Sequence, residues 1–165
     1  MRKGFTMIEL IFVIVILGVL ASVAIPRLAA TRDDAEVAKA ATNLTTAVSD
    51  ITAYYTAKGT FKSGSTGNGQ NVTFDKITNA LNKEGRLYVK GKTECVKVDL
   101  PTTAATPNNT SSKVEITLTF KDTDAVCKTL KTLPGIKSMC GKSGDTDTIS
   151  QSCKIQIGGS GGIQF

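Results

Sequence analysis

A run of sixteen residues from Leu10 to Ile25 carries no charged side chain, and it limits what this chain can fold into more than any other feature. Extended back to Phe5 it reaches twenty-one residues, with Glu9 as the one ionisable group. About 20 apolar residues in a helix span the hydrocarbon core of a bilayer. Arg2 and Lys3 precede the run, so a short N-terminus is held on the cytoplasmic side and the rest of the chain is sent outward. Two ordinary readings fit this much. One is a cleaved secretory signal, for which Ser22-Val23-Ala24 offers a small-x-small site. The other is an uncleaved signal anchor. Neither gives Glu9 a purpose, although a carboxylate at mid-span costs on the order of 2.5–3.5 kcal/mol, less near a helix end.

Setting residues 1 to 26 aside leaves 139 residues to build a fold with few aromatic side chains, no tryptophan, and many Thr and Gly. Such a body needs covalent help, and it contains Cys95, Cys127, Cys140 and Cys153, separated by 32, 13 and 13 residues. No pair makes the C-x-x-C spacing of a zinc or redox site. Disulfides are expected, since the N-terminal segment sends the body to a compartment where thiols pair. The net charge of +6 falls to +4 without Arg2 and Lys3 and forms no cluster, so nucleic acid is not an expected partner.

The stretch Lys3-Gly4-Phe5-Thr6-Met7-Ile8-Glu9-Leu10 resembles the prepilin processing site of type IV pilins and of the pseudopilins of type II secretion. Four features coincide: a short basic leader ending in Gly, Phe after it, Glu five residues into the mature chain, and an apolar run ending near Pro26. The resemblance covers about the first thirty residues. It implies cutting between Gly4 and Phe5 by a prepilin peptidase, N-methylation of Phe5, and retention of the apolar run. The new Phe5 ammonium, with an unperturbed pKa of roughly 7.7–8.0, remains cationic when methylated. Glu9 then has a partner, because opposite charges attract strongly in a low-dielectric bundle and an unpaired one is costly. The resemblance implies pairing with Phe5 of a neighbouring subunit; pairing with the chain's own Phe5 across one helical turn is the alternative. Gly18, Ser22 and Pro26 recur at intervals of four, with Ala21 and Ala24 nearby, which permits close helix contacts. Gly18 and Pro26 are also points of weakness, since Pro26 supplies no N–H to the Ser22 carbonyl and is expected to kink the helix. In type IV pilins this stretch can lose helicity on assembly.

Helical period persists beyond Pro26. Val37, Ala41, Leu44, Val48, Ile51 and Tyr55 form an apolar stripe, and Gly59 is a natural stop, which predicts one helix from Phe5 to Lys58. The charged patch Arg32, Asp33, Asp34, Glu36 and Lys39 reads as a solvated helix face. GTFKSGSTGNGQN reads as an irregular connection. TFDKITNALNKEG reads as a short helix capped by Thr73, with Phe74, Ile77 and Leu81 on one face and Gly85 at its end. RLYVKG, ECVKVDL and KVEITLTF alternate as strands of an antiparallel sheet. DTDAVCKTLKTLPG reads as a helix closed by Pro134-Gly135, and SCKIQIGG as a last strand returning near the sheet. On that layout Cys127–Cys140 would join the helix to its following loop, and Cys95–Cys153 would tie two strands. A disulfide-bounded C-terminal region is also what the resemblance to pilin heads implies.

The expected fold class is therefore α+β, pilin-like: a long N-terminal helix packed on a small antiparallel sheet. The expected segments are a leader at 1–4, a membrane or filament-core helix at 5–26, an amphipathic continuation at 27–58, and a head at 59–165. The chain has no histidine, and no Ser-x-x-Lys, P-loop or paired-carboxylate set is present, so no catalytic role and no cofactor are expected. Asp145-Thr146-Asp147 reads as a solvated turn; a calcium loop like that of some pseudopilins is the alternative, with too few oxygen ligands in the spacing. Asn43, Asn71, Asn108 and Asn109 begin N-x-S/T triplets through composition alone.

The resemblance implies a filament subunit, a major or minor pilin, with a type II secretion pseudopilin as the alternative and a membrane-anchored extracytoplasmic binding protein as a third reading. It implies self-assembly into a helical filament, a prepilin peptidase and methylase, and inner-membrane assembly machinery as partners. The chain would span the bacterial inner membrane once before assembly, then join an extracellular pilus or a periplasmic pseudopilus.

Overall fold

The computed structural model describes residues 4–62, 71–101, 113–142 and 149–158, apart from the side chains of residues 26 and 28–30. Asn108, Asn109, Asp145 and Asp147 lie outside the described residues. The chain divides into two compact units, Met1–Ala35 and Glu36–Phe165. Helix α1, Met7–Lys58, contributes to both. Its helical conformation continues through Pro26. At its C-terminal end Gly59, in the left-handed region at φ 69°, donates its N–H to the Tyr55 carbonyl at 2.7 Å, the stop that glycine permits.

The second unit is α+β. Strands β1 (Arg86–Val89), β2 (Thr93–Asp99), β3 (Val114–Phe120) and β4 (Ser152–Gly158) form an antiparallel sheet in the order β1-β2-β3-β4. The alternation visible in KVEITLTF is realised in β3, whose Val114, Ile116, Leu118 and Phe120 are buried while the residues between them are half-exposed. The same face of the sheet carries Leu87, Val89, Val96 and Val98, and α1 covers it with Val37, Ala40, Leu44, Ala47 and Ile51. Each fully buried Leu or Ile contributes roughly 1.5–3 kcal/mol to holding helix on sheet. The buried stripe differs from the expected one. Ala40 and Ala47 lie at its centre, whereas Ala41, Val48 and Tyr55 are half-buried at its flank. At those two levels the space between helix and sheet is filled by a methyl group.

Three further expectations are corrected. The segment 73–85 contains only one 3₁₀ turn, Phe74–Lys76, and Thr73 makes no side-chain cap. Side chains there compete for the backbone: Thr78 Oγ1 accepts from the Ala80 N–H at 3.1 Å, and Asn82 Oδ1 accepts from the N–H groups of Glu84 and Arg86 at 3.1 and 2.7 Å. Gly85 does end the segment, at φ +75°, where an added Cβ would meet the Phe74 ring and the Val98 carbonyl. Second, Pro134-Gly135 does not close a helix but opens one. Helix α2, Ala125–Thr132, is capped by Asp124, whose carboxylate accepts from the Val126 N–H at 2.8 Å, and Leu133 turns the chain into α3, Pro134–Met139.

Third, the disulfides are Cys95–Cys127 and Cys140–Cys153, not Cys127–Cys140 and Cys95–Cys153. Cys127 lies on the buried face of α2 with Val126 and Leu130, directed at β2, and its Cα is 5.0 Å from that of Cys95. The turn at Leu133 and the separate α3 carry Cys140 away from Cys127 to the second residue of β4, with Cα atoms 5.5 Å apart. The connection after α1, expected to be irregular, nonetheless supplies a core residue: Phe61 is buried and stacks on Tyr54 and Tyr55 at centroid distances of 6.0 and 5.4 Å.

Charged groups fix the β1–β2 end of the sheet. Lys90, in the left-handed region at φ 51°, donates its N–H to Glu36 Oε2 at 3.3 Å, and its ammonium pairs with Asp124 at 3.2 Å. Glu36 is therefore a tether as well as part of a solvated face, while Arg32, Asp34 and Lys39 are exposed. Glu94, its side chain only 11% exposed, pairs with Arg86 at 2.7 Å and Lys121 at 3.0 Å. Burial acts to raise its pKa, but the hydrogen bonds from Lys121 and Arg86 outweigh it and hold the carboxyl below the ordinary glutamate value.

Candidate processing and assembly site

The residues singled out at the N-terminus lie where backbone and helix meet. Gly4, Phe5 and Thr6 precede α1 without regular structure and are exposed, Phe5 at 85%. No heavy atom lies within 4 Å of a Cβ built on Gly4.

Glu9 is engaged locally by Thr6. The Thr6 N–H donates to Glu9 Oε2 at 2.9 Å and the Thr6 hydroxyl to the same oxygen at 2.6 Å. In return the Glu9 N–H points at Thr6 Oγ1 at 3.4 Å. This is a capping box, in which the first residue before a helix and the third within it satisfy each other's unpaired groups. The positive end of the helix dipole adds to the attraction for a carboxylate in the first turn. Thr6 is the residue that sequence reasoning passed over, although T-x-x-E before an apolar run is the signature of such a box. The arrangement holds Glu9 in one orientation on the first turn, five residues beyond Gly4.

The segment Met7–Ile25 is long and apolar enough to cross a membrane, with mean hydropathy 2.9. None of it is buried within the chain. Ile11, Ile14, Leu17 and Leu20, like the other large apolar side chains here, face outward all round the helix, which leaves the whole circumference for lipid or for other helices. Space around Gly18 is open, and Ser22 returns its hydroxyl to the Val19 carbonyl at 2.7 Å, so it adds no unsatisfied polar group to the apolar surface. Among the described residues, no group of three or more His, Cys, Asp or Glu is placed to hold a metal ion.

No curated protein and no solved structure matches the chain. One family model does, over residues 1–25: the prokaryotic N-terminal methylation motif. Its span takes in Gly4, Phe5, Thr6, Glu9 and the exposed apolar helix. This chain therefore carries, at residues 1–25, the signal motif of type IV pilins and pseudopilins.

Proposed function

We propose that the protein is a structural subunit, a major or minor pilin, of a type IV pilus-like filament. The observation that carries this reading is the union of the methylation motif with an apolar helix of which no side chain is buried within the chain. A helix so apolar on every side needs surroundings that are not water: lipid before assembly, other copies of itself after. Residues 1–4 act as leader, 5–26 as membrane and filament-core segment, 27–58 as its continuation, and 59–165 as head. A prepilin peptidase cuts between Gly4 and Phe5 on the cytoplasmic side, Phe5 is methylated, and inner-membrane assembly machinery moves the subunit into the filament. Glu9 then neutralises a Phe5 ammonium and sets the axial register between helices, since either charge left alone in that bundle is strongly unfavourable. Gly18 and Pro26 let the helix yield while it is packed.

Two measurements test this. Intact mass of the exported protein should correspond to a chain beginning at methylated Phe5; a chain beginning at Ile25 would mean a secretory signal and end the proposal. Electron microscopy of shed material should show fibres from the wild type and at least about tenfold fewer from Glu9→Ala, given a cost of several kcal/mol for an unpaired ammonium. Undiminished fibres in the variant would remove Glu9 from assembly.

A further inference from the structure

The two disulfides occupy different environments. Cys95 and Cys127 are each 1% exposed, and their bridge joins β2 to α2 through the centre of the core. Cys140 and Cys153 are both half-buried, and theirs joins the end of α3 to β4, the terminal strand of the sheet. A thiolate opens a disulfide by approaching one sulfur in line with the bond, so access decides which bridge it can attack.

The Cys140–Cys153 bridge secures the strand whose side chains are least buried, although β4 pairs with β3 at six positions. Residues of β4 alternate between exposed and half-buried, and Cys153, Ile155 and Ile157 reach only the margin of the core. Leu44, Ile51, Val96, Val98, Ile116 and Leu118 form the interior without it. We infer that Cys140–Cys153 is a thiol–disulfide exchange site, opened by a dithiol reductant while Cys95–Cys127 keeps the head folded. One reductant thiolate bonds to a sulfur of the pair and the other cysteine leaves as a thiolate, which takes a proton. The second reductant thiol displaces the mixed disulfide, so the reductant becomes a disulfide and Cys140 and Cys153 become thiols, two electrons having passed. The opened bridge frees α3 from β4 and lets the strand part from β3. The head thus has a permanent staple and a switchable one.

Graded dithiothreitol applied to the full chain in mild detergent, followed by alkylation and peptide mass spectrometry, tests this directly. Cys140 and Cys153 should be half-labelled at a concentration at least about tenfold below that for Cys95 and Cys127. In that window far-UV circular dichroism should be unchanged, and amide exchange across residues 152–158 should rise about tenfold while that of Val37–Ile51 stays constant. A common midpoint, earlier opening of Cys95–Cys127, or loss of the dichroism signal with the first bridge would each overturn the inference. The double variant Cys140→Ser/Cys153→Ser should fold with Cys95–Cys127 formed and show the same raised exchange in β4. Failure of that variant to fold would equally overturn it, because the bridge would then be part of the fold and not a switch upon it.

Discussion

At the scale of single residues, the chain places half-buried charges where they join separate segments. Glu94 lies between Arg86 of β1 and Lys121 just beyond β3, while the Arg86 Nε stands 2.8 Å from Glu84 Oε2 without hydrogen-bond alignment. Because the folded-state pKa of Glu94 lies below its unfolded value, the carboxylate stabilises the fold fully above about pH 4.5, and that contribution disappears as pH falls through the folded-state value. Asp124 titrates in the same direction, held low first by the Val126 N–H and then by the Lys90 ammonium. Denaturant titrations of the head should therefore show stability falling below about pH 4.5, with a shallower fall in Glu94→Gln than in the wild type. An unchanged slope in the variant would mean that Glu94 keeps the same pKa folded and unfolded. The Thr6–Glu9 box belongs to this scale too: it was legible as T-x-x-E, whereas the Glu94 cluster was not, since its members are dispersed over thirty-six residues and meet only through strand pairing.

At the scale of elements, periodicity located α1 and alternation located the strands, because both depend on one side of an element facing the core. Hydrophobicity alone misplaced the centre of the α1 stripe. Between neighbouring apolar positions it favours Val48 over Ala47, but the approach of helix to sheet admits only the smaller side chain at the buried position. Ala47→Leu is accordingly expected to cost about 1–3 kcal/mol by overpacking, measurable as a lower denaturation midpoint. Val48→Leu, at the half-buried flank, should cost less than about 1.5 kcal/mol. Equal costs would place both positions at the same depth. The segment 73–85 shows the complementary failure. Its apolar spacing suits a helix, yet Thr78 and Asn82 give the backbone local side-chain partners, and only Phe74–Lys76 turns helically.

At the scale of the molecule, every buried core residue among the described residues belongs to the unit Glu36–Phe165, and none of Met7–Ile25 is buried. A chain lacking residues 1–25 should therefore unfold in one cooperative transition with a free energy within about 0.5 kcal/mol of that of the full chain in mild detergent. A loss well beyond that would make the N-terminal segment part of the head's stability. The sequence by itself determined what depends on near neighbours along the chain: an apolar segment long enough for a membrane, its processing and methylation motif, the helix that continues from it, and the strands of the sheet. Only the tertiary structure decided what depends on distant segments meeting. It paired Cys95 with Cys127 and Cys140 with Cys153, buried Phe61 from a connection rich in Gly and Ser, and chose Ala40 and Ala47 for the helix–sheet contact. Spacing along a chain bounds which partners can meet, but the closeness of approach between packed elements selects among them, and that closeness is set by all the side chains of the core together.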